Sequence, residues 1–163
     1  MFERFRAEAV KVVHSAVAEA QRRGDPMIGT DHLLLGVASS ASPFGAALLS
    51  RFGAGVDDLQ EAMARRDVDA LAAVGIDLDE QALPVMFGGR RRHLRFTRAA
   101  KETLEAALRQ AIGMKHRHIG VEHIVLALIG RGAHDEAMRI VERVDVDPAA
   151  LRAAVIEEMR ASA

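Results

Sequence analysis

Two carboxylates stand beside two histidines at matched places in this chain, Asp31-His32 and Glu122-His123. Each pair follows closely on a glycine and opens an apolar run, Leu33-Leu34-Leu35 in one case and Ile124-Val125-Leu126 in the other. An adjacent acid and imidazole can hold a metal, move a proton, or complete a helix start. Metal binding needs further ligands. His116 and His118 lie nearby in sequence, but no three ligands have a convincing spacing, and cysteine is absent. No metal site is expected. Neither a Ser-His-Asp set nor a catalytic carboxylate pair stands out, so no catalytic residue, no cofactor and no enzymatic activity are expected. An acid in the first turn of a helix gains roughly 0.3–1 kcal/mol from the helix dipole. That contribution is one complete explanation for Asp31 and Glu122. His32 and His123 are expected to be buried and hydrogen-bonded, with a structural role.

The elements that carry these residues occur twice. Phe5, Ala9, Ala16, Ala20 and Ile28-Gly29-Thr30-Asp31-His32-Leu33-Leu34-Leu35 recur as Phe96, Ala100, Ala107, Ala111 and Ile119-Gly120-Val121-Glu122-His123-Ile124-Val125-Leu126. The offset is 91 throughout, without a gap. Such a repeat decides the architecture before local propensities do. In the first copy, spacings of three and four predict a helix from residue 3 to about 23 with Phe5 on its apolar face, stopped by Gly24. Thr30 reads as the N-cap of a second helix. Further helices are expected at about Phe44 to Arg51 and from near Asp57. In the second copy, Thr97 caps a helix to about Gly113, and another runs from near Glu122 to Ile129. Two more follow at about Asp135 to Arg143 and Pro148 to Arg160, where proline suits a first helical turn.

The fold class is therefore all-α: two pseudo-symmetric four-helix repeats in one domain over residues 1–163. Repeat one spans about 3–66 and repeat two about 95–160. Between them, about 67–94, lies an inserted half-repeat of two short helices. It begins with the echo Leu71 to Val74 and ends at Pro84 and Gly88-Gly89. The basic run from Arg90 to Arg95 follows as a linker.

Composition agrees. Half of the 163 residues are apolar but only 4% are aromatic, which suits close-packed helices better than strands. With 22 basic and 23 acidic side chains the net charge is −1, so no overall field points to nucleic acid or to acidic lipid. The Arg90–Arg98 cluster lacks interleaved aromatics and reads as a solvated linker rather than a nucleic-acid surface. No apolar run approaches a membrane span, and the charged start Met1-Phe2-Glu3-Arg4-Phe5-Arg6 is unlike a signal peptide. A cytoplasmic protein is expected.

The two signatures, Gly29-Thr30-Asp31-His32-Leu33-Leu34-Leu35-Gly36-Val37 and Gly120-Val121-Glu122-His123-Ile124-Val125-Leu126-Ala127-Leu128, resemble those of the amino-terminal domain of the Clp protein unfoldases, the A and C types. Met1 to Phe5 and Phe96-Thr97-x-x-Ala100-Lys101 fit the same family. The resemblance implies a recognition domain that binds substrate proteins, adaptors or cyclic peptides of the Clp degradation system. The alternative is a stand-alone protein that sequesters those same ligands in competition with the unfoldase. A G-x-x-x-x-G-K-[ST] phosphate loop is absent from these residues, so ATP turnover is not expected. The resemblance further implies phosphoarginine binding at Thr30, Asp31, Val121 and Glu122. Amides at a helix start would receive the phosphate and the acid the guanidinium. Asp31 is one methylene shorter than the family's Glu, and Val121 stands where the family has Thr. The first copy, which keeps a hydroxyl beside its acid, is expected to be the stronger site.

Overall fold

The computed structural model describes residues 3–77 and 93–162. Among the described residues the helices are α1 (Ala7–Arg23), α2 (Thr30–Ala38), α3 (Ala46–Arg51), α4 (Val56–Ala73), α5 (Arg98–Gly113), α6 (Val121–Ile129), α7 (Glu136–Arg143) and α8 (Pro148–Ala161). Two short strands, β1 (Met27–Ile28) and β2 (Arg95–Phe96), pair in parallel. The expected all-α architecture is present, with α1–α4 and α5–α8 as the two repeats. No helix among the described residues is long and apolar enough to cross a membrane.

Residues that break the right-handed helix mark matched ends. Gly24 (φ 74°) follows α1, and Lys115 (φ 59°) stands 91 positions later beyond α5. After α2 and α6 the offset becomes 92. Buried Leu48-Leu49 then match Ile140-Val141, Gly53 (φ 71°) matches Asp145 (φ 56°), and Leu59 and Met63 match Leu151 and Val155. The loop leading to α7 is therefore one residue longer than its counterpart.

α1 buries Ala9, Val12, Val13, Ala16 and Ala20, a stripe of small side chains that lets α2 lie close. Gly36 completes the contact: a Cβ there would stand 2.3 Å from the Val12 carbonyl oxygen. In repeat two Ala127 holds that place, and a groove of about 690 Å³, lined in part by Glu102, Arg109, Met114, Ala127 and Arg131, opens between α5 and α6. α2 is buried along its whole length and α6 nearly so. A helix apolar on all sides belongs in the interior, and these two form the centre of the molecule.

The repeats are tied reciprocally. Phe5 does not lie on the helix, as its spacing suggested, but stands in extended backbone ahead of α1 and bridges to Ile119. Phe96 pairs in the same way with Ile28. Arg6 N–H donates to the Ile119 carbonyl at 2.9 Å, and Thr97 N–H donates to the Ile28 carbonyl at 2.9 Å. Each repeat's leading strand thus fixes the strand that feeds the other repeat's signature helix.

α4 continues to Ala73, so the echo at Leu71 to Val74 is the end of α4 and its cap rather than a new helix. The other expectations for the insertion, at Leu78, Asp79, Pro84, Gly88-Gly89 and Arg90 to Arg92, lie outside the described residues.

Candidate functional site

Both signature helices start on glycine. Gly29 and Gly120 are the N-caps, in extended backbone, and Thr30 and Val121 are the first helical residues. Thr30 therefore does not cap its own helix. Its hydroxyl instead accepts from Ala137 N–H at 3.2 Å in the first turn of α7, beside the Asp135 carboxylate at 3.1 Å. Val121, 1% exposed, has no hydroxyl for a corresponding bond. The capping work at α2 and α6 falls to the histidines. Nδ1 of His32 accepts from Gly29 N–H at 2.9 Å, and Nδ1 of His123 accepts from Gly120 N–H at 2.9 Å. Each imidazole satisfies a backbone donor as the third residue of a capping box does. Both are buried, at 3% and 0% exposed, as expected.

The acids fold back over the capping glycine. A Cβ at Gly29 would stand 2.5 Å from Asp31 Oδ1, and one at Gly120 would stand 2.2 Å from Glu122 Oε2. Glycine is needed at both places so that the carboxylate can lie against the backbone of the helix start.

In repeat one the acid belongs to a closed ring of charges. Asp31 Oδ1 accepts from His32 N–H at 2.9 Å and lies 3.1 Å from His32 Nδ1. His32 Nε2 meets Asp25 Oδ2 at 2.7 Å. Asp25 accepts from Arg23 Nε at 2.9 Å, Arg23 reaches Asp67, and Asp67 accepts from Arg66 Nε at 3.0 Å. Arg66 Nη1 then closes the ring on Asp31 Oδ2 at 2.9 Å, and it also reaches Glu136 of α7 at 3.2 Å. Burial pushes the Asp31 carboxyl upward, but His32 and Arg66 outweigh it and hold the group well below the usual carboxylate range. Burial pulls His32 down, but the carboxylates of Asp25 and Asp31 raise it to about 9. Only the neutral ring accepts from Gly29 N–H; in the protonated ring, which a pKa of about 9 favours near pH 7, Nδ1 donates toward Asp31 Oδ1 at 3.1 Å, so in repeat one the histidine cap belongs to the neutral form. Burial raises Asp25 as well, and its bonds to His32 and Arg23 bring it below its ordinary value.

Repeat two keeps only a fragment of this ring. At the matched positions Asp25 becomes His116, Arg23 becomes Met114, Arg66 becomes Glu158 and Asp67 becomes Met159. His116 Nδ1 lies 2.9 Å from His123 Nε2, with the rings edge to face. Because His123 Nδ1 accepts from Gly120, Nε2 carries the proton and donates to His116. Burial lowers the His123 pKa, Glu122 opposes the shift, and the positive fields of His116 and Arg6 add to it. Space brings together what sequence spacing did not: His116, Glu122 and His123 offer atoms within 4.8 Å of one another. A metal on His123 Nε2 would force its proton onto Nδ1, facing Gly120 N–H, so the backbone bond works against ligation.

The family described as the Clp repeat (R) N-terminal domain matches residues 4–82 and 95–162. The chain belongs to that family. This Clp repeat domain is 32% identical over 157 residues to the "ATP-dependent Clp protease ATP-binding subunit ClpA homolog" of Porphyra purpurea, covering 96% of this chain and 17% of that protein. It is 33% identical over 156 residues to the "Chaperone protein ClpC1, chloroplastic" of Arabidopsis thaliana, covering 96% and 15% respectively. The chain thus spans about one sixth of the curated relatives it matches. Its fold is that of the N-terminal domain of the chaperone ClpD from Arabidopsis thaliana (TM-score 0.70, 24% identity, 98% and 99% of the two chains covered). The Hsp104 N-terminal domain of Candida albicans has the same fold (TM-score 0.68, 17% identity, 96% and 92% covered). No catalytic family is indicated.

Within this Clp repeat domain the four residues singled out from sequence fall into two separate places. Thr30 and Asp31 sit where α2 meets α4 and α7; Val121 and Glu122 sit at the start of α6. Asp25 carried a signal in the sequence that the expectations above did not use: like His116, which was weighed only as a metal ligand, it stands seven residues before a signature histidine. Arg66 gave no local signal, because α4 brings it back from 35 residues away.

Proposed function

We propose that this domain is a non-catalytic recognition module of a Clp protein-degradation system, binding substrate proteins, those marked with phosphoarginine among them, or adaptors. The observation that carries this is the pair of Gly-x-acid-His helix starts, each folding a buried carboxylate onto capping backbone, in a domain of the Clp repeat family. Relatives are named as an ATP-binding subunit of a Clp protease and as the chaperone protein ClpC1, and the present residues hold no G-x-x-x-x-G-K-[ST] phosphate loop. A cytoplasmic setting accords with such partners.

The test is capture from native lysate on immobilised domain, with mass spectrometry under conditions that keep phosphoarginine intact. Enrichment of Clp subunits, adaptors or arginine-phosphorylated proteins is the expected result. Capture of none of these, together with tight binding of a cyclic peptide, would replace this reading with the sequestering one. ATP turnover by the pure chain would overturn both.

A further inference from the structure

The crossed strands have an inner and an outer side. Phe5 bridges in parallel to Ile119, so these two side chains point the same way, into the core. Arg4 and Arg6 flank Phe5, His118 and Gly120 flank Ile119, and all four turn outward. Ile119 N–H donates to the Arg4 carbonyl at 2.8 Å and Arg6 N–H donates to the Ile119 carbonyl at 2.9 Å, which fixes that register. Arg4, Arg6 and His118 are exposed, and Gly120 leaves a gap that the buried Glu122 carboxylate fills. The turn that delivers the second strand carries Lys115, His116 and Arg117, all exposed.

The matched face on the other side of the molecule has the same backbone and little of this charge. There β1 and β2 pair Met27 with Arg95 and Ile28 with Phe96, the register of His118 with Arg4 and of Ile119 with Phe5. Its six positions hold Gly24, Asp25, Pro26, Met27, Arg95 and Thr97: one cation, and one acid already engaged by Arg23 and His32. The face at Ile119 has a basic side chain at all six. The chain as a whole has a net charge of −1, so the concentration is local. Several arginines elsewhere meet acids of their own fold, as Arg66 meets Asp31, Arg131 meets Glu102 and Arg143 meets Asp69. Among the described residues Arg4, Arg6, Lys115 and Arg117 have no ion pair and no side-chain hydrogen bond. Glu122 is turned under onto Gly120, which leaves Glu3 as the exposed acid beside four exposed cations. Like charges gathered on one face repel one another, and carboxylates from outside would relieve that repulsion.

We propose that the outward face of the Phe5–Ile119 bridge, with the turn before it, is a docking surface for an acidic segment of a partner protein. Arg4 and Arg6 would fork onto carboxylates along the strand, and Lys115 and Arg117 would meet further acids from the turn. A protein segment fits this face better than nucleic acid. Its outward side chains include no aromatic ring for bases to stack on, because Phe5 is turned to the core, and the net charge of −1 would repel a long polyanion beyond the patch. This rests on the recognition reading above and names the feature of the partner that is read.

The probe is a fluorescein-labelled peptide of alternating Glu and Ser, with a Gln-Ser peptide as its neutral counterpart, followed by anisotropy on the whole chain at about 50 mM salt. The acidic peptide is expected to bind and the neutral one not to, and about 200 mM salt should weaken binding about tenfold. Arg4→Gln with Arg6→Gln, and Lys115→Gln with Arg117→Gln, should each weaken it about tenfold. Arg152→Gln with Arg160→Gln removes the same charge from exposed positions of α8 and should change it less than about twofold. Amide spectra of the unmodified protein give a reading that depends on no variant: Arg6 and His118 should shift on binding, and the matched Thr97 and Met27 should not. Failure of the acidic peptide to bind, equal loss in the α8 variant, or shifts at Thr97 and Met27 would overturn the proposal. Tighter binding of a thymidine oligonucleotide of the same charge would overturn it in favour of nucleic acid. Capture of Clp partners without binding of the acidic peptide would remove the surface and keep the recognition reading. Binding at the surface with the expected losses, but no capture of Clp partners, would keep the surface and remove the Clp assignment.

Discussion

Replacing Arg66 with methionine keeps most of the side chain's bulk and removes its charge, which isolates the electrostatic part of the ring in repeat one. Removing one partner of a buried ion pair leaves the other charge uncompensated and costs about 3–5 kcal/mol. Asp31 meets the condition of burial, but the Arg66 side chain is 22% exposed, so water already screens part of the interaction. A loss of about 2–3 kcal/mol is expected after that discount. At about 2–4 °C per kcal/mol for a chain of this size, the melting temperature falls by about 4–12 °C. Urea unfolding followed at 222 nm near pH 7 measures the loss directly, and an unchanged m-value shows that the unfolded ensemble is unaltered. The double variant with Asp31→Asn should recover part of the loss, since no buried charge is then left alone. Acid adds a second check. Because the folded pKa of Asp31 lies below its ordinary 3.8, its contribution is complete above that value and fades as pH falls through the folded pKa. Without Arg66 that folded pKa rises and the contribution shrinks, so acid unfolding of R66M should begin at higher pH. A loss under about 0.5 kcal/mol, of the size found at ordinary surface sites, would refute the ring as a stabilising element.

The two repeats also differ in ways that other perturbations should reveal. His32, raised to about 9, stabilises fully below its ordinary 6.5 and loses that effect as pH climbs through about 9; His123, lowered, stabilises above 6.5 and loses its effect as pH falls below it. Imidazole titration by NMR should therefore place His32 above 7 and His123 below 6.5, and the reverse order would contradict the proton positions assigned to the two rings. Gly36→Ala drives a methyl into the Val12 carbonyl and should cost about 1–3 kcal/mol. Ala127→Gly at the matched place should cost only about 1 kcal/mol through helix propensity, and equal costs would contradict the difference in helix approach. Thr30→Val should lose about 0.5–1 kcal/mol through the Ala137 amide, with hydrogen exchange speeding up at α7 rather than at α2. Gly120→Ala should displace the Glu122 carboxylate and cost about 1–3 kcal/mol, as urea unfolding would show.

The helices and their pairing into two repeats were legible because they rest on periodic small and apolar residues and on the 91-residue recurrence, both of which survive in one dimension. Thr97 as a cap was also legible, since its hydroxyl serves its own helix at Ala100 N–H. Thr30 misled for the opposite reason: the same residue type at the same kind of position turns outward to cap α7, and glycine with histidine does the local work. Phe5 misled because spacings of three and four cannot distinguish the first turn of a helix from a strand that leads into it. At the site, the acids and histidines were visible as matched dipeptides. Their partners were not, because Arg66, Asp67 and Glu136 arrive through tertiary packing from α4 and α7. The substitutions at 114, 116, 158 and 159 have meaning only once the ring in repeat one has shown what those positions face.

The crossed strand pairing has a consequence for how this domain is held together. Phe5 serves Ile119 and Phe96 serves Ile28, so neither half contains the clamp for its own central helix. Produced as separate polypeptides, each half would carry an unclaimed strand and an unclaimed acceptor edge, and the two would satisfy each other by association. A single ancestral half could have closed the same two pairings as a twofold homodimer. Covalent fusion would then have freed the copies to diverge, one keeping the charge ring around Asp31 and the other the His116–His123 contact, without loosening the exchange that joins them.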